Sequence, residues 1–193
     1  MNPSNDFQGK AIIISAPSGA GKTTLVNKLL EAKLPLLFSI SACSRNPRDG
    51  EENNKDYYFL SIEEFQQKIN TQEFIEWEEV YKGNFYGTLK KEIERIWKKK
   101  KHVVFDVDVI GGVSLKEYFN ENALCIFIKP PNLEVLAQRL KKRNSDDKES
   151  IKKRIEKSFE EMKSMDKFDK IIVNDKLSTS SKDIIETVEK FLM

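Results

Sequence analysis

Residues 16–23 have the types and the spacing of a phosphate-binding loop. Glycines let successive backbone N–H groups turn toward an anion, and Lys22 adds a positive charge. The loop follows an apolar run at 11–14 and leads into a helical pattern that begins near Lys22, so the positive end of a helix would face the same anion. Thr23 supplies a hydroxyl suited to Mg²⁺. The stretch therefore predicts a site for a nucleotide phosphate.

Ala16 departs from the pattern Gly-x-x-x-x-Gly-Lys-Ser/Thr, because it stands where the first glycine would be. We expect its small side chain to fit there. The alternative interpretation is a glycine-rich turn between a strand and a helix that binds nothing. That alternative requires strand, glycines, lysine, hydroxyl and helix to coincide by chance, so the loop is interpreted as a binding site.

Asp106 follows the apolar run at 103–105, and Asp108 comes two residues later. Proteins with a phosphate-binding loop place an acidic group near Mg²⁺ at the end of such a strand. Two carboxylates that are two residues apart on one strand face the same side, so both are expected to point into one cleft. A strand end that simply meets solvent is the alternative for this signal alone.

Arg45 and Arg48 lie three residues apart around Pro47. Pro47 stiffens the backbone and disfavours a continuous helix, so both guanidinium groups can converge on one anion in a loop. A solvated turn would contain the same residues, and for the pair alone this alternative stays open.

The chain has 193 residues, of which 39% are hydrophobic, enough for a sizeable core. Its 33 basic and 31 acidic side chains nearly cancel, which does not indicate a nucleic-acid partner. Cys43 and Cys125 lie far apart without metal-ligand spacing and are interpreted as reduced packing residues. There is neither a signal-peptide pattern nor an apolar run of about 18 residues. We expect a soluble cytoplasmic protein without a membrane partner.

Short β-branched runs alternate with helical patterns along the chain. The runs are mostly continuous, which is typical of strands buried on both faces. They lie at 11–14, 103–105, 123–128 and 171–173, with a further short strand near 36–40. The helical patterns lie at 22–32, 88–99, 133–142, 151–162 and 180–192. This alternation predicts an α/β fold with a parallel sheet covered by helices.

Residues 41–88 break this rhythm and predict an inserted lobe, with strands at 57–60 and 74–80 around one helix. Ser61 can cap the first turn of that helix, while Glu64 reaches back as in a capping box. A second insertion-like region at 141–153 is highly charged and poorly hydrophobic. It is expected to be a mobile cover over the site.

Several of these segments, taken in order, resemble the guanylate kinase family. The matching positions are the loop at 15–22; Ser41, Arg45, Pro47 and Arg48; Gly50, Asp56 and Tyr57; Phe74, Ile75, Glu76 and Trp77; Tyr86 and Gly87; Asp106, Val107 and Asp108; the arginines of the expected lid, Arg139, Arg143 and Arg154; and Ile172, Val173, Asn174 and Asp175. The resemblance covers essentially the whole chain. Its Arg-x-Pro-Arg and Phe-Ile-Glu-Trp segments are far more specific than the phosphate-binding loop.

The resemblance implies a three-layer α/β fold with helices on both faces of a parallel sheet. The core would comprise 1–40 and 88–193, with a helical lid at about 132–155. An α+β lobe at 41–87 would bind GMP.

The resemblance also implies the roles of the GMP-binding residues. Those holding the phosphate would be Arg45, Arg48, Tyr57 and Tyr86. Those around guanine would be Ser41, Glu76, Thr88 and Asp108. The chemistry is suitable, because a carboxylate at Glu76 accepts from the N1–H and the exocyclic amine of guanine, whereas adenine lacks that pair of adjacent donors.

On the donor side, the resemblance implies that ATP contacts Ala16, Pro17, Ser18, Gly19, Ala20, Gly21, Lys22, Thr23, Thr24 and Asn174. Lys22 would act in catalysis together with the lid arginines Arg139, Arg143 and Arg154. Asn144 stands where the family commonly has a glycine. Mg²⁺ would be held through Thr23 and Asp106, and Asn174 would contact adenine.

The implied reaction transfers the γ-phosphoryl of Mg-ATP to GMP, with the use of dGMP and the oligomeric state left open. Two alternatives are an interaction domain of the same fold that binds peptides, and a related kinase with another phosphorylated acceptor, such as a sugar phosphate. Lys22, Thr23 and the lid arginines argue against the first, and Ser41 and Glu76 argue against the second.

Overall fold

A computed structural model of the chain describes residues 7–142 and 148–193. The described residues form nine strands and seven α-helices. The strands are β1 (Ala11–Ser15), β2 (Leu36–Phe38), β3 (Ala42–Cys43), β4 (Tyr58–Phe59), β5 (Phe74–Tyr81), β6 (Asn84–Leu89), β7 (His102–Val107), β8 (Ala123–Lys129) and β9 (Lys170–Val173). The helices are α1 (Lys22–Glu31), α2 (Ile62–Asn70), α3 (Lys90–Trp97), α4 (Val109–Phe119), α5 (Leu133–Lys142), α6 (Lys148–Lys163) and α7 (Leu177–Leu192).

The chain divides into two compact units. The core unit comprises Lys10–Leu34 and Val104–Met193, and the lobe unit comprises Met1–Gly9 and Pro35–Val103. The lobe unit therefore contains α3 and β2 as well as the segment at 41–87. The division into lobe, core and lid given by the resemblance stays a prediction.

The core unit contains a parallel sheet. Its strands have the order β7-β1-β8-β9, and β8 pairs in parallel with β1 on one side and with β9 on the other. All five residues of β1 are buried. Helix α4 packs on β1 and β8, and α7 packs on β9 and α1. The parallel sheet expected from the continuous apolar runs is confirmed.

Helix α4 was not expected from the sequence. Asp108 is its N-cap and accepts a hydrogen bond from the Gly111 N–H at 2.8 Å. Gly112 allows the helix to approach β1, because a Cβ at this position would lie 2.7 Å from the Ser15 Oγ. Gly112, which weakens a helical pattern, is thus explained by close packing.

The lobe unit contains a second sheet with the order β4-β3-β6-β5. Strand β6 is antiparallel to both β3 and β5. One face of this sheet packs on α2 through a core of buried residues: Ala42, Phe65, Phe74 and Leu89. The Phe65 and Phe74 rings stack with centroids 4.4 Å apart. The predicted capping box of α2 is confirmed, with Ser61 and Glu64 each bonding to the other's backbone N–H.

The predicted helix start at Thr88 is wrong. Thr88 and Leu89 belong to β6, where they lie opposite Glu76 and Phe74 of β5, and α3 begins only at Lys90. Pairing and burial override the local helical pattern here, since Thr88 and Leu89 are both fully buried.

Glu92 of α3 is fully buried in the lobe unit and holds three elements together. It pairs with Arg95, accepts from the Tyr58 hydroxyl at 2.8 Å and accepts from the Ile40 N–H at 2.9 Å. Burial alone would raise the pKa of Glu92, but Arg95, Ile40 and Tyr58 together lower it. The carboxylate therefore fixes the chain next to Ser41, just before β3 begins at Ala42.

We expect Glu92→Ala to lower the free energy of unfolding by about 1–3 kcal/mol for each of the two groups that lose their acceptor, the Tyr58 hydroxyl and the Ile40 N–H, while the partly exposed Arg95 can turn to water. Urea unfolding monitored by circular dichroism measures this loss. Glu94→Ala, which removes an exposed carboxylate two residues along the same helix, is the control. Equal stability of both variants would contradict a supporting role for Glu92.

Candidate functional site

The loop between β1 and α1 has the backbone conformation of an anion cradle. Gly19 and Gly21 have φ values of 85° and 90°, a region that side chains rarely adopt. Position 21 requires a glycine for a second, steric reason, because a Cβ there would collide with the Asn174 side-chain amide. Ala16 is buried and has no positive φ, so a glycine is not needed at that position.

Lys22 is anchored at the end of β7. Its ammonium lies 2.6 Å from the Asp106 Oδ1 and donates to the Val107 carbonyl oxygen at 2.6 Å. Both side chains are mostly buried, with about one fifth of each exposed (20% and 19%). The structure thus brings together the predicted lysine and the predicted acidic residue.

Asp108 does not lie on the strand, which was the expectation for both carboxylates. Strand β7 ends at Val107, and one Asp108 oxygen is used to cap α4. The Ser15 hydroxyl donates to the carbonyl oxygens of Val107 and Asp108 at 3.1 and 2.7 Å. It thereby fixes the connection between β7 and α4. Asp108 is therefore a half-buried helix cap whose guanine contact stays a prediction.

Asn174 and Arg139 brace the phosphate loop from outside. The Asn174 amide donates to the Ala20 carbonyl at 2.8 Å and accepts from the Ser180 hydroxyl at 2.9 Å. Arg139 donates to the Ala20 and Asn174 carbonyl oxygens at 3.3 and 3.1 Å. Hydrogen bonds within the protein thus occupy the Asn174 amide, which was expected to contact adenine. They also occupy the Arg139 guanidinium, which was expected to contact the triphosphate.

Two cavities open beside the loop in the core unit. One of about 270 Å³ is lined by Glu161 together with loop residues: Ala16, Pro17, Ser18, Gly19, Gly21, Lys22 and Thr23. The other, of about 350 Å³, is lined by Gly19, Gly21, Thr24, Arg139, Asn174, Asp175 and Leu177. Almost all the ATP-binding residues expected in the core unit line one or both of these cavities.

Glu161 of α6 was missed by the sequence reasoning. Its Oε2 is buried and has no hydrogen-bond partner among the described atoms, and the Ser18 backbone bonds to the carboxylate. Burial raises the pKa of Glu161, with a further contribution from the charge of Asp108, while Lys157 and Lys22 oppose the rise. A glutamate in a charged helix carries no sequence signal for such a position.

Glu161→Gln is expected to stabilise the ligand-free protein at neutral pH. Because the folded pKa lies above the ordinary 4.5, the folded state binds more protons than the unfolded state between the two values. The free energy of unfolding therefore falls as pH rises through that range, and the glutamine variant should lack this fall. The size of the stability difference then measures how far the pKa is raised, since each pKa unit corresponds to about 1.4 kcal/mol.

Thermal unfolding from pH 4 to pH 8 measures the effect, with Glu160→Gln as the control. Glu160 is the neighbouring exposed carboxylate, paired with Lys163. The wild-type and Glu161→Gln curves should converge near pH 4 and separate toward pH 8. Curves that stay parallel would contradict the assigned position of Glu161.

The lid arginines are only partly described. Arg154 lies half-buried on α6. Arg143 and Asn144 lie outside the described residues, so their expected roles stay predictions.

The second face of the lobe sheet is polar. Glu76 lies opposite Thr88, and Ser41 immediately precedes Ala42, which pairs with Gly87. Strand alternation therefore places Ser41, Thr88 and Glu76 in one row on the same face. The Thr88 hydroxyl is fully buried and has no hydrogen-bond partner among the described atoms.

Tyr86 continues this polar face, because it lies two residues before Thr88 on β6. The Arg45 Nε donates to the Tyr86 hydroxyl oxygen at 3.0 Å, and the Arg45 guanidinium lies 4.9 Å from the centroid of the Tyr57 ring. The Tyr57 and Tyr86 rings meet edge to face at 6.1 Å. Three of the four residues expected at the GMP phosphate are thus in contact.

Arg45 has a further partner that the sequence reasoning missed. Glu51 binds both of its Nη atoms, at 2.6 and 2.7 Å, and accepts from the Arg48 backbone N–H at 2.8 Å. The hydrogen bonds from Arg45 hold the pKa of Glu51 at about 2, and Glu51 in turn raises the pKa of Arg45. The Arg48 side chain is exposed.

The oxygen atoms near the loop suit Mg²⁺. Hard cations of this size prefer oxygen ligands and keep several waters, so the Thr23 hydroxyl and the Asp106 carboxylate form a chemically suitable set. In the described part of the chain, no group of three or more His, Cys, Asp or Glu side chains is placed to hold a metal.

Cys43 and Cys125 are buried free thiols, as expected from their spacing, and burial raises the pKa of Cys125 to about 12. Within residues 7–142 and 148–193, no helix has the length and apolar character needed to cross a membrane.

Comparison with known proteins gives one consistent result. The family model described as guanylate kinase matches residues 8–191. The chain is 50% identical to a guanylate kinase of Porphyromonas gingivalis over 95% of this chain and 98% of the relative. It is 48% identical to one of Bacteroides thetaiotaomicron over 95% and 90%. A crystal structure of guanylate kinase from Anaplasma phagocytophilum superposes with a TM-score of 0.78 at 30% identity, covering 97% and 88%.

Proposed function

Because the chain belongs to the guanylate kinase family, we propose that it transfers the γ-phosphoryl of ATP to the 5′-phosphate of GMP, giving ADP and GDP. The product GDP would supply purine nucleotide metabolism. This function requires a donor site for a triphosphate and an acceptor site that reads guanine.

The polar face of the lobe sheet is the observation that carries the acceptor assignment. Ser41, Thr88 and Glu76 form one row, and Tyr86 with Arg45 lies one step along the same face. A ligand on this face would meet hydroxyls and a carboxylate at one end, and a cation with a phenolic hydroxyl at the other. A guanine base and a phosphate match these two ends.

Glu76 would select guanine, because its carboxylate accepts from two adjacent donors that adenine lacks. The Thr88 hydroxyl supports this assignment, since a buried polar atom without a partner costs about 1–3 kcal/mol until a ligand satisfies it. Sites that bind a substrate through such hydrogen bonds can discriminate by about 10⁴-fold or more.

On the donor side, the phosphate loop and Lys22 would bind and orient the triphosphate. The backbone N–H groups after Gly19 and the start of α1 favour an anion, and Lys22 would move its ammonium from Asp106 toward the γ-phosphoryl. Arg154 and the other lid arginines would add positive charge. No general base is required, because the acceptor phosphate, with a second pKa of about 6, is largely dianionic at neutral pH.

Mg²⁺ completes the donor site in this proposal. Bound to ATP, the ion would neutralise charge on the phosphates. Thr23 would hold it directly, and Asp106 would hold the ion or its waters once Lys22 has turned to the substrate.

An assay coupled to ADP release tests the proposal with GMP, AMP, dTMP, UMP and ribose bisphosphate as acceptors. We expect efficient turnover only with GMP among them. Turnover with a sugar phosphate alone would identify another kinase activity. The absence of turnover with every acceptor would favour an interaction domain.

A further inference from the structure

We propose that Glu51 is a positioning residue for the acceptor phosphate, because it holds Arg45 and the backbone of Arg48 in the arrangement that receives the anion. The inference rests on the proposed function, since it names a new residue in the same GMP site. Glu51 touches no substrate atom in this role and acts through Arg45.

The geometry is that of a fixed fork. The two Glu51 oxygens bind both Nη atoms of Arg45, at 2.6 and 2.7 Å, and the oxygen at 2.6 Å also accepts from the Arg48 N–H. Only 13% of the Arg45 side chain and 20% of the Glu51 side chain are exposed. A bidentate pair of this kind fixes the plane of the guanidinium as well as its position.

The Glu51–Arg45 pair also orients the Tyr86 hydroxyl, which can donate a hydrogen bond to an anion. The Arg45 Nε donates to the Tyr86 oxygen at 3.0 Å, and an Arg45 Nη1 hydrogen donates to the Asn46 carbonyl at 2.9 Å. Since the Tyr86 oxygen accepts from Arg45, its own O–H is available to donate elsewhere. One Nη2 hydrogen of Arg45 also remains. Glu51 therefore organises a set of donors around one anion position.

Two opposing effects decide what Glu51 does to GMP binding. Its negative charge repels a phosphate, but the Arg45 guanidinium, which binds both Glu51 oxygens, already neutralises that charge. Without Glu51, the Arg45 side chain would regain rotamer freedom that binding must remove again. The charge-assisted hydrogen bonds that fix the guanidinium plane would also be lost. We therefore expect positioning to outweigh repulsion, so that Glu51 favours binding.

Glu51→Gln tests this inference, with Glu52→Gln as the matched control. Both changes remove one negative charge from adjacent positions, but Glu52 is exposed and pairs with Lys55. We expect Glu51→Gln to raise the Kd for GMP by about 10-fold. The Kd values for guanosine, which lacks the phosphate, and for ATP should not change. The KM for GMP should rise more than kcat falls.

The outcomes separate the inference from the proposed function. If Glu51→Gln binds GMP with an unchanged or lower Kd, the positioning role is overturned. Turnover of GMP by the wild-type protein would still support the proposed function in that case. An equal loss for GMP and guanosine would also overturn it, because the effect would then not pass through the phosphate. If the wild-type protein neither binds nor phosphorylates GMP, the proposed function itself fails.

Discussion

Replacing Lys22 by alanine is expected to lower kcat by about 10²–10³-fold, in line with the loss of one group that stabilises transition-state charge. The ammonium lies at the phosphate loop, 2.6 Å from the Asp106 carboxylate, and α1 begins at this residue. Lys22 directly follows the last loop glycine, Gly21, so its ammonium is the charge that the loop brings to the phosphates. The loss should therefore appear in kcat more than in the KM for GMP.

Lys28→Ala is the control for this change, because Lys28 lies on the same helix and pairs with the exposed Glu31. Steady-state kinetics and thermal unfolding should be measured on both variants. Because the Lys22–Asp106 pair is mostly buried, its loss should lower the stability of Lys22→Ala, and thermal unfolding identifies a temperature at which this variant is still folded for the kinetic comparison. Full turnover by folded Lys22→Ala would remove Lys22 from the catalytic machinery.

Replacing Glu76 by glutamine is expected to lower kcat/KM for GMP by about 10–200-fold, equivalent to about 1–3 kcal/mol. The glutamine amide would turn one donor toward the donors of guanine, and its single acceptor could satisfy only one of them. Because Glu76 belongs to the lobe unit and the phosphate loop belongs to the core unit, the Kd for ATP should stay unchanged.

Glu94→Gln, an exposed change in the same unit, is the control for Glu76. Equilibrium titrations with GMP and with ATP would separate the two sites. Equal losses for both nucleotides would indicate damage to the fold, and unchanged use of GMP would contradict the role of Glu76 in reading the base.

The elements that the sequence predicted correctly depend on residues that are close together in the chain. The buried run of β1, the loop glycines and the start of α1 follow one another, and the capping box of α2 joins Ser61 to Glu64 three residues away. In each case the interacting groups are separated by a few residues, so propensity and spacing were sufficient.

Elements that depend on distant packing were not predicted. Helix α4 contains two glycines that lower its helical propensity, and its place follows from the approach of Gly112 to Ser15, 97 positions earlier in the chain. Strand β6 was read partly as helix, because its pairing with β5 and β3 lies outside any short sequence window.

Partners of the predicted site residues were the least accessible from sequence. Arg45 and Asn174 were expected to contact ligand, yet Glu51 and Ser180 bind them in this structure. Glu161 reaches the phosphate loop from a helix that begins more than 100 positions later in the chain. Charged residues on helices and turns are mostly solvated, so neither composition nor spacing distinguishes these partners.

Phosphorus NMR of the wild-type protein with ATP, GMP and Mg²⁺ tests the central claim most directly, because it identifies both products at once. The account predicts that ADP and GDP appear in equal amounts, with the phosphorus signal of GMP converted to the pair of signals of a diphosphate. Release of inorganic phosphate without GDP, or no reaction while GMP is present, would contradict it.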